Sequence, residues 1–132
     1  MANENQMQYL GLGAAQFVLL GVLFYLSGIW PHAMPLSIEA FSQPFQGDYA
    51  MLAIILSVLL VMDLAYYLSV FIPQFLPDAK NHLILLAFPE IASVFGLIIG
   101  LLNQNLWGAL PFFVLGIMWY AYAYMKVAQA AK

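Results

Sequence analysis

Apolar residues in this chain come in long unbroken runs, with few polar positions inside them. Four runs stand out, at about residues 9–30, 49–76, 83–102 and 106–127. A helix needs roughly 20 predominantly apolar residues to cross a bilayer, and each run is of that length. Lipid offers no partner to a backbone N–H or C=O, so a spanning segment must satisfy its own polar groups, which a helix does. The short alternating segments of a membrane β-barrel are absent. The pattern predicts an all-α, polytopic integral membrane protein: a four-transmembrane-helix bundle forming a single transmembrane domain over residues 1–132.

The first run reads as a retained helix rather than a signal peptide. Met1 to Gln8 carries Glu4 but no Lys or Arg, and the apolar stretch is longer than a signal h-region. With four spans, the N-terminus, the 77–82 loop and the C-terminus share one side. Lys80, Lys126 and Lys132 all fall there, whereas Glu39 and Asp48 lie in the 31–48 loop on the other. The positive-inside rule puts the lysine side, and with it both termini, in the cytoplasm. Trp30 and Trp107 then sit at the outer interface, where aromatic anchors belong. The 31–48 loop holds Pro31, Pro35 and Pro44. Between the prolines, residues 36–41 read either as one or two turns of interfacial helix or as irregular loop. The 77–82 and 103–105 connections are tight, so the last three helices are sequential antiparallel neighbours.

Composition narrows the function. Hydrophobic residues make up 65% of the chain and charged residues only 7%. That is too little charge for an ordinary soluble surface, where roughly a quarter of residues are charged. With three lysines and no arginine there is no basic patch for nucleic acid. The absence of Cys removes disulfides, thiol nucleophiles and zinc–thiolate sites.

Two carboxylates nevertheless interrupt the spans, Asp63 in the second and Glu90 in the third. A charge at the bilayer centre costs several kcal/mol or more, and intramembrane acids commonly mark an ion or proton path. The alternative is a neutral, hydrogen-bonded carboxyl that joins helices. Glu90 lies eight residues past His82 and Asp63 fourteen before Pro77. At 1.5 Å per residue these depths are roughly 12 and 21 Å, so the two acids should not pair. Tyr66 and Tyr67, three and four residues beyond Asp63, share its helix face. Either phenol can donate to it, which makes Asp63 a structural buried acid. Glu90 is preceded by Pro89, which removes an amide and frees the Leu85 carbonyl one turn back. Ala92, Ser93, Gly96 and Gly100 follow, and the Gly96–Gly100 spacing suits close helix packing.

Residues 86–97, Leu-Ala-Phe-Pro-Glu-Ile-Ala-Ser-Val-Phe-Gly-Leu, resemble the ion-carrying helix of the rotor-ring proteolipid, subunit c, of rotary ATPases. Ala87, Pro89, Glu90, Gly96 and Leu97 match that family's pattern in register, and Phe88, Val94 and Phe95 are close substitutes. The resemblance implies that Glu90 is the ion-binding carboxyl, supported by Pro89, Ser93 and Gly96. It covers about a dozen residues. The family's glycine-rich partner helix has no counterpart in the second span, which contains no glycine and carries Tyr66, Tyr67 and Phe71. Ile91 and Phe95 replace residues that offer oxygen ligands in the family, and the second span has no Gln before Gln74. If Glu90 carries an ion, that ion is expected to be H⁺ rather than Na⁺.

Other chemistry is sparse. His32 and His82 read as exposed loop residues on opposite sides, no metal-ligand spacing is present, and no catalytic triad, phosphate loop or nucleotide fingerprint appears. No cofactor is expected. Met62, Met118 and Met125 read as packing residues, and the Ala-separated tyrosines of residues 119–124, Trp-Tyr-Ala-Tyr-Ala-Tyr, as interfacial anchors. Two functional readings remain. One is a small subunit of an ion-translocating complex, with Glu90 as proton carrier. The other is a non-catalytic accessory subunit of a larger membrane complex. Both imply the lipid bilayer and either other membrane subunits or further copies of the chain as partners. The first is preferred because it accounts for the Pro–Glu pair.

Overall fold

The computed structural model describes residues 2–31 and 33–130, and side chains from Met7 onward. The Glu4 side chain, His32 and Lys132 therefore lie outside the described residues. The chain forms α1 (Ala2–Ser27), α2 (Ile38–Ser42), α3 (Ala50–Phe75), α4 (Ala79–Asn103) and α5 (Leu106–Ala130). The last three, together with Met7–Ser27 of α1, are long and apolar enough to cross a membrane. The protein is a multi-pass, all-helical integral membrane protein, and no strand occurs among the described residues.

Helices α4 and α5 form the central antiparallel hairpin. Helix α1 packs on both, and α3 lies against the hairpin through Ala53, Leu56, Leu60 and Tyr67. Small residues set the α4–α5 spacing. A Cβ on Gly96 would lie 2.9 Å from Phe112 Cβ, and one on Gly100 would lie 2.8 Å from Leu23 of α1. The Gly96–Gly100 face expected from the sequence is thus buried within the chain. Much of the remaining apolar surface points outward. Phe17 and Val18 on α1 and Met51, Val61 and Met62 on α3 are mostly exposed. Met118 and Met125 are exposed as well, so the methionines cover the outside of the bundle and do not pack its interior as expected.

The two helix breaks have local causes. Pro89 lacks the amide that would bond Leu85, and α4 divides there into His82–Ala87 and Glu90–Asn103. Helix α3 contains a π-turn at Tyr67–Phe71, where one extra residue per turn rotates the side chains that follow.

Of the two readings of residues 36–41, the structure adopts the helical one. Ser37 caps the short α2 by accepting from the Ala40 amide at 3.2 Å, and a 3₁₀ turn, Gln43–Phe45, follows. This segment is tied to the α4–α5 turn. Asn105 Nδ2 donates to Ala40 O at 2.6 Å and to Gln43 Oε1 at 3.0 Å. Asn105 Oδ1 accepts from the Gly108 amide at 3.0 Å, capping α5. Gln104 takes the left-handed conformation, φ 49°, and closes α4 in a Schellman turn, with Asn105 N donating to Gly100 O at 3.0 Å. At the opposite end His82, expected to be exposed, is buried. Its Nε2 pairs with Leu76 O at 2.7 Å and pins the 77–82 turn. Buried polar groups need partners, and the Leu76 carbonyl supplies one.

Asn105→Ala should lower the unfolding free energy by about 1–3 kcal/mol, because it leaves buried partners unpaired. Gln104→Gly should leave it unchanged or raise it by up to about 1 kcal/mol, since glycine takes the left-handed conformation without a Cβ clash. Reversible unfolding in detergent checks both.

Candidate functional site

The interior polar residues of the spans converge where α1, α4 and α5 meet. On the Glu90–Asn103 segment, Ala92, Ser93, Gly96, Ile99 and Gly100 form the buried face, and Val94, Ile98, Leu101 and Leu102 are exposed. At 100° per residue, Glu90 falls on the border between these faces, next to Ser93 and Leu97. Its side chain is half-buried, and its Oε1 is sealed from outside and has no hydrogen-bond partner.

The neighbour that meets Glu90 comes from α1. Gln16 is fully buried and lies beside the Glu90 carboxyl. Its Oε1 accepts from Ser93 Oγ at 2.8 Å, and its Nε2 is buried without a partner. Gly116 of α5 makes room for this pair. A Cβ there would lie 2.7 Å from Gln16 Oε1 and 2.9 Å from Ser93 Oγ. The candidate site, midway along the Ala79–Asn103 helix, is therefore Glu90, Ser93 and Gln16 beside Gly116. Gln16 was not singled out from the sequence. The available signal was a lone amide in an apolar run, three residues after a glycine.

Pro89 and Glu90 are adjacent by sequence, but the carbonyl that Pro89 frees does not serve Glu90. Tyr67, fully buried at the π-turn of α3, donates its hydroxyl to Leu85 O at 2.7 Å. This bond replaces the missing amide. The Tyr67 ring packs edge-on against Trp119, with centroids 5.2 Å apart, and tilted against Phe88 at 5.9 Å. The assignment of Tyr67 to Asp63 is corrected by this geometry, because its one donor is committed to Leu85. Tyr66 is mostly exposed and stacks edge-on against Phe71, with centroids 4.9 Å apart. Asp63 is half-buried on α3, its carbonyl accepts from the Tyr67 amide, and its carboxyl makes no hydrogen bond among the described residues. The two acids do not meet.

The aromatic tract divides in two. Trp119 is part of the core. Tyr120 donates its hydroxyl to the Tyr9 carbonyl of α1. Tyr122 faces outward with Lys126 Nζ 5.5 Å from its ring centroid. Among the described residues there is no cluster of three or more His, Cys, Asp or Glu that could hold a metal.

No family model, curated protein or solved structure matches this chain.

Tyr67→Phe should cost about 1–3 kcal/mol by stranding the Leu85 carbonyl. Pro89→Ala restores an amide able to bond the same carbonyl, so the two substitutions should not add. Their coupling should fall within about 0.5–3 kcal/mol, the range for residues in contact. Additive losses in a double-mutant cycle would show that the Tyr67–Leu85 bond does not compensate for the proline.

Proposed function

We propose that this chain is a small subunit of an ion-translocating membrane complex and that Glu90 is its proton carrier, with the Lys80 end of the bundle in the cytoplasm. The observation that carries this reading is the placement of one carboxyl: mid-membrane, half-buried, with an unpartnered oxygen beside a buried amide. An ionised carboxylate there would stand as an uncompensated charge in the bilayer, at a cost of several kcal/mol. Glu90 therefore rests neutral, holding a proton. Gln16 offers both a donor, Nε2, and an acceptor, Oε1, so it can meet the carboxyl in either protonation state. The border position of Glu90 leaves the carboxyl one open side, through which a proton can be handed to a partner surface. The Pro–Glu resemblance to rotary ATPase proteolipids supports the same role.

The ion is H⁺. Gln16 brings an amide oxygen that the sequence reading had not counted, but its Oε1 is engaged by Ser93. The side-chain oxygens are then those of Glu90, Gln16 and Ser93, a sparse shell for a sodium ion. A proton needs only the carboxyl and one acceptor.

A second reading, the non-catalytic accessory subunit, draws on a different observation. The small-residue face of α4 is used up inside the chain, while the outer faces of α1 and α3 are broad and apolar. Such faces suit lipid or neighbouring subunits.

Carbodiimides modify protonated carboxyls and separate the readings. In the native membrane complex, labelling at neutral pH should fall on Glu90, vanish in Glu90→Gln, and be unaffected by millimolar Na⁺. Protection by Na⁺ would overturn the proton assignment. A Glu90 that no carbodiimide labels would favour the accessory role.

A further inference from the structure

At the end of the bundle that carries Lys80, Gln8 and Tyr9 of α1 face Ala79, Lys80 and Leu83 of α4 across a cavity of about 290 Å³. Liquid water occupies roughly 30 Å³ per molecule, so several waters fit. Along α1 the cavity is in register with Gln16. Leu83 precedes Glu90 by seven residues and Tyr9 precedes Gln16 by seven. Seven residues are close to two helical turns, so on the unbroken α1 Tyr9 and Gln16 lie on one face, about 10 Å apart along the axis, whereas on α4 the break at Pro89 separates Leu83 from Glu90. The cavity and the Gln16 end of the Glu90–Gln16 pair are thus two stations along one face of α1.

Tyr120 of α5 stands between the stations. Its hydroxyl bonds the Tyr9 carbonyl at the cavity wall, and its ring lies over Gly13, one turn further along α1. A Cβ on Gly13 would be 2.7 Å from Tyr120 Cε1, so the ring fills the space that any other residue there would occupy. Gln16 follows three residues further along α1.

We infer that this cavity is the aqueous vestibule through which Glu90 exchanges its proton with the Lys80 side, and that Tyr120 is the gate between them. The inference rests on the proton-carrier reading of Glu90. On loading, hydronium in the vestibule gives its proton to the Glu90 carboxylate and becomes water; unloading is the reverse. Tyr120 is a positioning residue. With its hydroxyl held by Tyr9 the ring closes the path, and displacement of the ring opens it. The groups that face Glu90 are Gln16 from α1, Ser93 from its own helix and Tyr120 from α5.

The test uses the full chain in lipid vesicles and exploits its lack of native cysteine. Lys80→Cys marks the vestibule side by its reaction with a membrane-impermeant thiol reagent, and Leu83→Cys should react from that same side. Two carbodiimides then report on Glu90: a water-soluble one, which needs the vestibule, and a hydrophobic one, which enters through lipid. Blocking the thiol at position 83 should slow the water-soluble reagent several-fold and leave the hydrophobic one unchanged. Tyr120→Phe, which keeps the ring and frees it from Tyr9, should speed the water-soluble reagent several-fold, again without affecting the hydrophobic one. Equal water-soluble labelling with position 83 blocked or free, or a Leu83→Cys thiol that reacts only from the opposite side, would overturn the vestibule while leaving the carrier reading intact. Failure of both carbodiimides to label Glu90 would sink the carrier reading and the vestibule's role with it.

Discussion

Pro89 removes one amide from α4, and in lipid the Leu85 carbonyl left behind has no water to turn to. Its partner must come from protein. The bundle supplies it from α3, where a π-turn brings the Tyr67 hydroxyl onto Leu85. That bond adds to the aliphatic and aromatic contacts of α3 with the hairpin, where Tyr67, Phe71, Phe88 and Trp119 form one aromatic cluster. The break at Pro89 thereby becomes a fixed bend, and the residue after it, Glu90, inherits a fixed direction. Without the Tyr67 bond the same proline would leave a costly orphan at mid-membrane depth.

Helix α1 acts on the other side of the same bend. It is the least buried of the four spanning helices, yet its Gln16 is fully enclosed. A buried amide is costly unless paired, and Gln16 is only half satisfied, by Ser93. Its Nε2 and the Oε1 of Glu90 are both buried, and the amide lies within reach of the carboxyl. The Asn105 amide, by comparison, has its bonds filled, whereas Gln104 Oε1 and Trp119 Nε1 are also buried without a partner.

The large features were legible in the sequence because lipid imposes a simple rule of length and polarity. The four spans, the tight turns and the prominence of Glu90 follow from it. Whatever depended on which helices meet was hidden. Tyr67 sits four residues after Asp63, so local spacing assigns it to that acid; only the π-turn and the proximity of α4 reveal Leu85 as its partner. Gln16 is a single amide within a long apolar run, and nothing nearby in the chain shows that Ser93 and Glu90 will face it. His82 follows a polar turn and reads as exposed, but the carbonyl it binds becomes available only once α3 has ended at Phe75.

The central claim is that Glu90 holds a proton next to Gln16. Infrared difference spectroscopy of the chain in lipid, comparing it with Glu90→Gln, tests this directly. The account predicts a carboxylic-acid C=O band belonging to Glu90, shifted by Gln16→Leu as the neighbouring amide is lost and unchanged by added Na⁺. Carboxylate bands alone at position 90, with no carboxylic-acid band, would contradict it.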